Sequence, residues 1–227
     1  MPSHSLRVLT AEFVGTLLFV FLGAGSVVAF AAAGASPASI ATLGVALAHG
    51  VALAIVVSMT MNISGGHINP AVTTGLWIAD KIAGRTALYY ILAQLLGALV
   101  GAALIKSVFP QAVALARVGT PQLAADVTFM QGIWIEAILT FFLVSAVFGT
   151  AVSPEAPRIG GWGIGLAVFV DVLVGGNLTG AAMNPARAFG PAVVSLTLSG
   201  QAVYWIGPFL GAAVAAALWK AILLPRS

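Results

Sequence analysis

Six long apolar runs dominate the chain, at about 8–33, 40–61, 86–109, 132–152, 161–174 and 202–224. Most reach the roughly 20 residues with which an α-helix crosses about 30 Å of hydrocarbon, so the pattern predicts six membrane spans. Two further apolar segments, 69–78 and 184–196, reach only roughly half that thickness at about 1.5 Å per residue, and they predict half-helices. Each opens with Asn then Pro, a side chain suited to capping followed by a proline where a missing N–H does no harm. The stretches before them, 62–68 and 175–183, are Gly-rich and polar. Irregular backbone of that kind persists at membrane depth only where it is buried in protein or lines a watery cavity. The first run has Ala29, Ala31 and Ala33 as a cleavage-like context, but its 26 residues and internal Glu12 argue against a signal peptide.

The pattern occurs twice within one domain, 1–227. Repeat one, about 8–109, carries Glu12 and Thr16 early in its first span and then Asn69, Pro70 and Ala71. Repeat two, about 131–224, carries Glu136 and Thr140 and then Asn184, Pro185 and Ala186. Three spans per repeat is an odd number, so the second copy sits inverted relative to the first. Broken helices at matching places in inverted halves point to a site at the bilayer midplane, where both half-helix N-termini meet. The fold class is therefore all-α, six transmembrane helices plus two re-entrant half-helices in an inverted 3+3 repeat.

Composition changes this picture little. Of 227 residues 60% are hydrophobic and 7% charged, a surface that water could not solvate, so a soluble enzyme and a nucleic-acid partner drop out. The absence of cysteine removes thiolate metal sites, a cysteine nucleophile and disulfides. No catalytic constellation and no cofactor or metal site is present in the sequence. With both termini in the cytoplasm, Arg7, Lys81, Arg85, Arg158, Lys220 and Arg226 lie inside against Lys106 and Arg117 outside, as the positive-inside rule asks.

Each half-helix N-terminus presents about half a positive charge and unsatisfied N–H groups. Two of them facing one another in a pore repel cations, hydronium included. Asn69 and Asn184, with their side-chain oxygens engaged in capping, can aim NH2 groups into the lumen. A water passing there accepts two hydrogen bonds and points its own protons outward, which interrupts a proton-conducting chain while neutral water passes.

The stretches Ser64-Gly65-Gly66-His67-Ile68-Asn69-Pro70-Ala71-Val72-Thr73 and Met183-Asn184-Pro185-Ala186-Arg187 resemble the two signature loops of the aquaporins, the major intrinsic proteins. The resemblance covers essentially the whole chain and implies a right-handed six-helix bundle, one pore per subunit, assembled as a homotetramer. It also implies an outer constriction, or selectivity filter, at His49, Val172, Ala181 and Arg187. That set matches neither strict water channels nor glycerol facilitators and is similar to the tonoplast intrinsic proteins, members of which are associated with water plus ammonia, urea or hydrogen peroxide. The loop position that supplies an extra pore-facing His in some ammonia-conducting members has Pro121 and Gln122 at the nearest places. Where glycerol facilitators carry an Asp after the Arg, this chain has Ala188, and Tyr204-Trp205 resembles the aromatic pair of water channels.

Arg187 is an intramembrane charge, expensive unless it faces water. Glu12 and Glu136 need donors at membrane depth and are expected to accept N–H bonds from the re-entrant loops. His67 is expected either to line the inner vestibule or to support its loop. Asp171, about 100° round the helix from Val172, should not share its lumen. Gly97 with Gly101, and Gly207 with Gly211, predict close helix packing. The expected function is a passive channel for water, with small neutral solutes as further cargo, closed to protons and ions; a glycerol-type facilitator is the alternative. Its partners are the lipid bilayer and further copies of itself. The lack of an evident targeting extension and the Ala-rich composition suit a prokaryotic inner membrane, which is the expectation, while the resemblance also allows a plant vacuolar one.

Overall fold

The structure, a computed structural model, describes residues 6–34 and 38–225; Arg226, counted above among the inside charges, lies outside the described residues. Among the described residues nine α-helices follow in order: α1 Leu6–Ala32, α2 Ala38–Thr60, α3 Pro70–Ile78, α4 Gly84–Val108, α5 Ala112–Ala116, α6 Phe129–Val147, α7 Trp162–Gly175, α8 Pro185–Ser195 and α9 Val203–Leu218. No strand occurs among the described residues. α1, α2, α4, α6 with its π-helical continuation to Val152, and α9 with its continuation to Leu223 are each long and apolar enough to span. The fifth expected span, α7, has only 14 residues, roughly 21 Å. Bonds from Gly176 N to Val172 O, Thr179 N to Gly175 O and Gly180 N to Gly176 O add a further helical turn. α3 and α8 are the two half-helices, capped by Asn69 and Asn184 with Pro at the first helical position.

Small residues set the packing. A Cβ on Gly97 would stand 2.3 Å from the Phe13 carbonyl oxygen, and one on Gly211 would stand 2.1 Å from the Ala137 carbonyl oxygen. Gly101 meets the Leu17 carbonyl and Gly207 that of Ile133 in the same way. Thus α4 lies on α1, and α9 on α6, with backbones in contact, the packing on which apolar helices depend when no water drives them together. Residues 13 and 17 face 97 and 101 in register, so α1 and α4 run parallel, and α6 and α9 do likewise. Lys220, which pairs with Asp80 and donates to the Ile78 carbonyl, brings the end of α9 to the side where α1 and α4 begin. We call this the near side. A Gly211→Ala chain is expected to lose about 1–3 kcal/mol by overpacking. Its thermal unfolding midpoint should fall clearly below that of Gly25→Ala, where the nearest atom to the new Cβ is Ile105 Cγ1 at 3.6 Å.

Apolar core lies inside the ring of helices, while a second set of large apolar side chains stands outside, among them Leu47, Ile55, Leu96, Ile138, Leu166 and Val214. Such a surface belongs in lipid. One element was not foreseen. The far-side connection after α4 folds into α5 and a 3-10 turn, Arg117–Gly119, which presses against the Ala24 carbonyl of α1.

Candidate functional site

The two half-helices meet tip to tip through their caps. Asn69 Oδ1 accepts the Ala71 N–H at 2.8 Å, and Asn184 Oδ1 accepts the N–H groups of Ala186 at 3.0 Å and Arg187 at 3.2 Å. The amide nitrogens cross over: Asn69 Nδ2 donates to the Met183 carbonyl at 2.9 Å, and Asn184 Nδ2 to the Ile68 carbonyl at 3.0 Å. Each loop is thus tied to the other through the residue that precedes its asparagine. Both of those residues sit in the left-handed region, Ile68 at φ 56° and Met183 at φ 51°. For a β-branched Ile this is a strained conformation, and strain of this sort persists only where the surroundings over-determine it.

The surroundings are two buried carboxylates. Glu12 accepts from His67 N at 3.0 Å, Ile68 N at 2.8 Å, Ser64 Oγ at 2.6 Å and Gln94 Nε2 at 2.7 Å. Glu136 accepts from Ala182 N at 2.9 Å, Met183 N at 2.7 Å and Thr179 Oγ1 at 2.6 Å. Two tyrosines complete the symmetry, Tyr90 donating to the Ser64 carbonyl and Tyr204 to that of Thr179, each at 2.8 Å. Backbone N–H groups that no helix could satisfy at this depth are therefore bonded.

The repeats differ in what stands behind each loop. Gln94 also donates to Thr73 Oγ1, which donates to the Asn69 carbonyl and bonds His67 Nδ1 at 3.1 Å. At the matching places repeat two has Pro208, Ala188 and Ala182, and Ala188 and Ala182 pack in an apolar cluster with Tyr204. His67 both braces its loop and lines the near-side cavity, joining the two roles that its sequence left open.

The profile of the family described as Major intrinsic protein matches residues 2–219. The chain belongs to this family. Members are channels rather than enzymes, and so is this one. Aquaporin TIP2-1 of Arabidopsis thaliana is 42% identical over 229 residues, covering 98% of this chain and 90% of the relative. Aquaporin TIP1-2 of Zea mays is 42% identical over 221 residues, covering 94% of this chain and 85% of the relative. Among solved structures, the aquaglyceroporin from Plasmodium falciparum superposes with a TM-score of 0.82 over 96% of each chain; at 24% identity it speaks for the fold alone. The Arabidopsis thaliana and Zea mays relatives are plant proteins and lend no support to the expectation of a prokaryotic membrane.

In this major intrinsic protein two cavities approach the crossed loops and the residues beside them. One, of about 240 Å3, opens to the near side past Met61, Lys81 and Val152 and is lined by Asn69, Asn184, His49 and Ala181. The other, of about 410 Å3, lies on the far side and is lined by Val172, Arg187, Gly119 and Gln122. The four positions that the resemblance marks as a constriction are all buried and divide between the two cavities. His49 Nδ1 bonds the Val45 carbonyl at 2.9 Å, and since a carbonyl only accepts, Nδ1 carries the proton and Nε2 of the neutral ring is an acceptor. Arg187 donates from one terminal nitrogen to the Gly119 carbonyl at 2.8 Å. His49 Nε2 and Arg187 Nε, both buried, have no hydrogen-bond partner among the described residues. Asp171 is buried as well but lines neither cavity.

Proposed function

We propose that the chain is a passive water channel whose path runs through the two cavities and past Asn69 and Asn184. The observation that carries this reading is the crossed pair of asparagine bonds. An amide NH2 has two hydrogens, and the cross-bond occupies one, which leaves the second on each asparagine for the lumen. A water held by both must turn its own hydrogens away along the pore. With the positive ends of α3 and α8 beside it, the same point repels cations, so neutral water passes and protons do not.

His49, Val172, Ala181 and Arg187 form the narrow neck in this reading. The His49 Nε2 acceptor and the Arg187 Nε donor, both without hydrogen-bond partners among the described residues, are the groups on which a permeating molecule exchanges its hydrogen bonds. Val172 and Ala181 contribute no polar atom. A neck of two polar and two small apolar walls suits water and, as further cargo, ammonia, urea or hydrogen peroxide. For glycerol the support is weaker: Ala188, where an Asp would stand in a facilitator, is sealed among apolar neighbours, and Trp205 packs against Phe189 and Phe209. The near side is the cytoplasmic side, and four copies assemble with one pore each.

A mercurial test follows from the lack of cysteine. Water flux of the native chain in proteoliposomes should be indifferent to mercuric chloride. That of Ala181→Cys should drop to the level of empty liposomes and recover with excess thiol. Strong inhibition of the native chain, or an insensitive Ala181→Cys, would place the path elsewhere.

A further inference from the structure

We propose that a groove on the outer surface, between the first halves of α1 and α4, holds an anionic glycerophospholipid from the leaflet in which those helices begin. The groove has a volume of about 320 Å3 and is lined by Leu9, Phe13, Tyr89, Leu92 and Leu96. It ends next to the point where Gly97 brings α4 onto the Phe13 carbonyl. Leu92 and Leu96 are 48% and 58% exposed, so its walls face hydrocarbon and accept an acyl chain.

Its other end is cationic. Arg85 stands in the first turn of α4 on the same stripe as Tyr89, Leu92 and Leu96, since positions four and three apart share a helix face. Its guanidinium lies 5.9 Å from the centre of the Tyr89 ring, which holds the charge beside the end of the groove. Arg7 is exposed in the first turn of α1, and because the two helices run parallel it comes to the same end. Among the described residues neither arginine has a carboxylate partner. Two unneutralised guanidinium groups at the water boundary, at the end of an apolar groove, complement a phosphodiester that carries net charge. A zwitterionic headgroup would bring an ammonium to the same cations.

The test uses the purified full chain in detergent, equilibrated with equal amounts of phosphatidylglycerol and phosphatidylcholine, with retained lipids counted by native mass spectrometry. Phosphatidylglycerol should be retained several-fold over phosphatidylcholine. Arg85→Ala and Arg7→Ala should each lose about five-fold of that preference. Arg158→Ala, in the loop before α7, should keep it. Leu92→Trp fills the groove with both arginines intact and should lower retention of the lipid at unchanged unfolding midpoint. Equal retention of the two lipids by the native chain would overturn the proposal, as would a loss in Arg158→Ala equal to that in Arg85→Ala. So would displacement of the lipid by inorganic phosphate, which would mark a free-anion site, or a change of oligomer size in Leu92→Trp, which would mark the groove as a contact with a second copy.

Discussion

A Glu136→Ala chain is expected to fail to fold stably in the membrane, not simply to conduct more slowly. The lost carboxylate accepts from Ala182 N, Met183 N and Thr179 Oγ1, all within 2.9 Å and all buried. Removing it leaves three donors with no water to turn to. At about 1–3 kcal/mol for each orphaned donor, the loss is comparable with the whole stability of an ordinary protein, about 5–15 kcal/mol. Met183 holds φ 51° with its N–H on this carboxylate and its carbonyl on Asn69, and with the first bond lost the loop that presents Asn184 would relax away from Ile68. Glu136→Gln keeps one acceptor but turns an NH2 toward N–H donors, and it should fall between the two. Size-exclusion elution and the thermal unfolding midpoint read the effect. An unchanged midpoint with unchanged water flux in Glu136→Ala would refute the supporting role of this carboxylate.

The second large effect is expected from Val172→Trp, and it falls chiefly on flux. Val172 is a helical residue on α7 that lines the far-side cavity next to Arg187. On the proposed path, an indole there would fill the neck between the two cavities. Water permeability in proteoliposomes should fall about ten-fold or more, close to bare lipid. The unfolding midpoint should fall less than in Glu136→Ala, because Val172 borders the far-side cavity as well as packed core and the cavity can take up part of the added rings. Substantial flux through folded Val172→Trp would show that Val172 does not border the path. Together the two variants separate support from passage, since Glu136→Ala removes the frame and Val172→Trp obstructs an intact one.

The parts legible in the sequence were those written in local chemistry. Asn69-Pro70 and Asn184-Pro185 mark the starts of α3 and α8 because capping and a first-turn proline are properties of neighbouring residues. A lone carboxylate in an apolar span announces its need for donors, and Glu12 and Glu136 found theirs in the loops. What stayed hidden depends on partners far along the chain. Gln94 reaches Glu12 across 82 positions and Arg187 reaches Gly119 across 68, and neither pairing has a local signature. The crossing of the asparagine amides is likewise invisible until both loops are placed: NH2 groups expected to point into the lumen each give one hydrogen to the opposite loop. α5 escaped notice because its five residues, Ala112–Ala116, are too few for a periodic pattern. Val172 and Ala181 have no chemistry that distinguishes them along the chain, and their assignment to a constriction, like that of His49, came through the resemblance alone.

The central claim is that water passes between Asn69 and Asn184 while protons do not. Stopped-flow light scattering of proteoliposomes after an impermeant osmotic step, run beside an internal pH dye under an imposed proton gradient, tests it most directly. The account predicts fast shrinkage with a low activation energy and a proton leak no greater than that of empty liposomes. Shrinkage no faster than empty liposomes from folded protein, or a pH change that tracks the water flux, would contradict it.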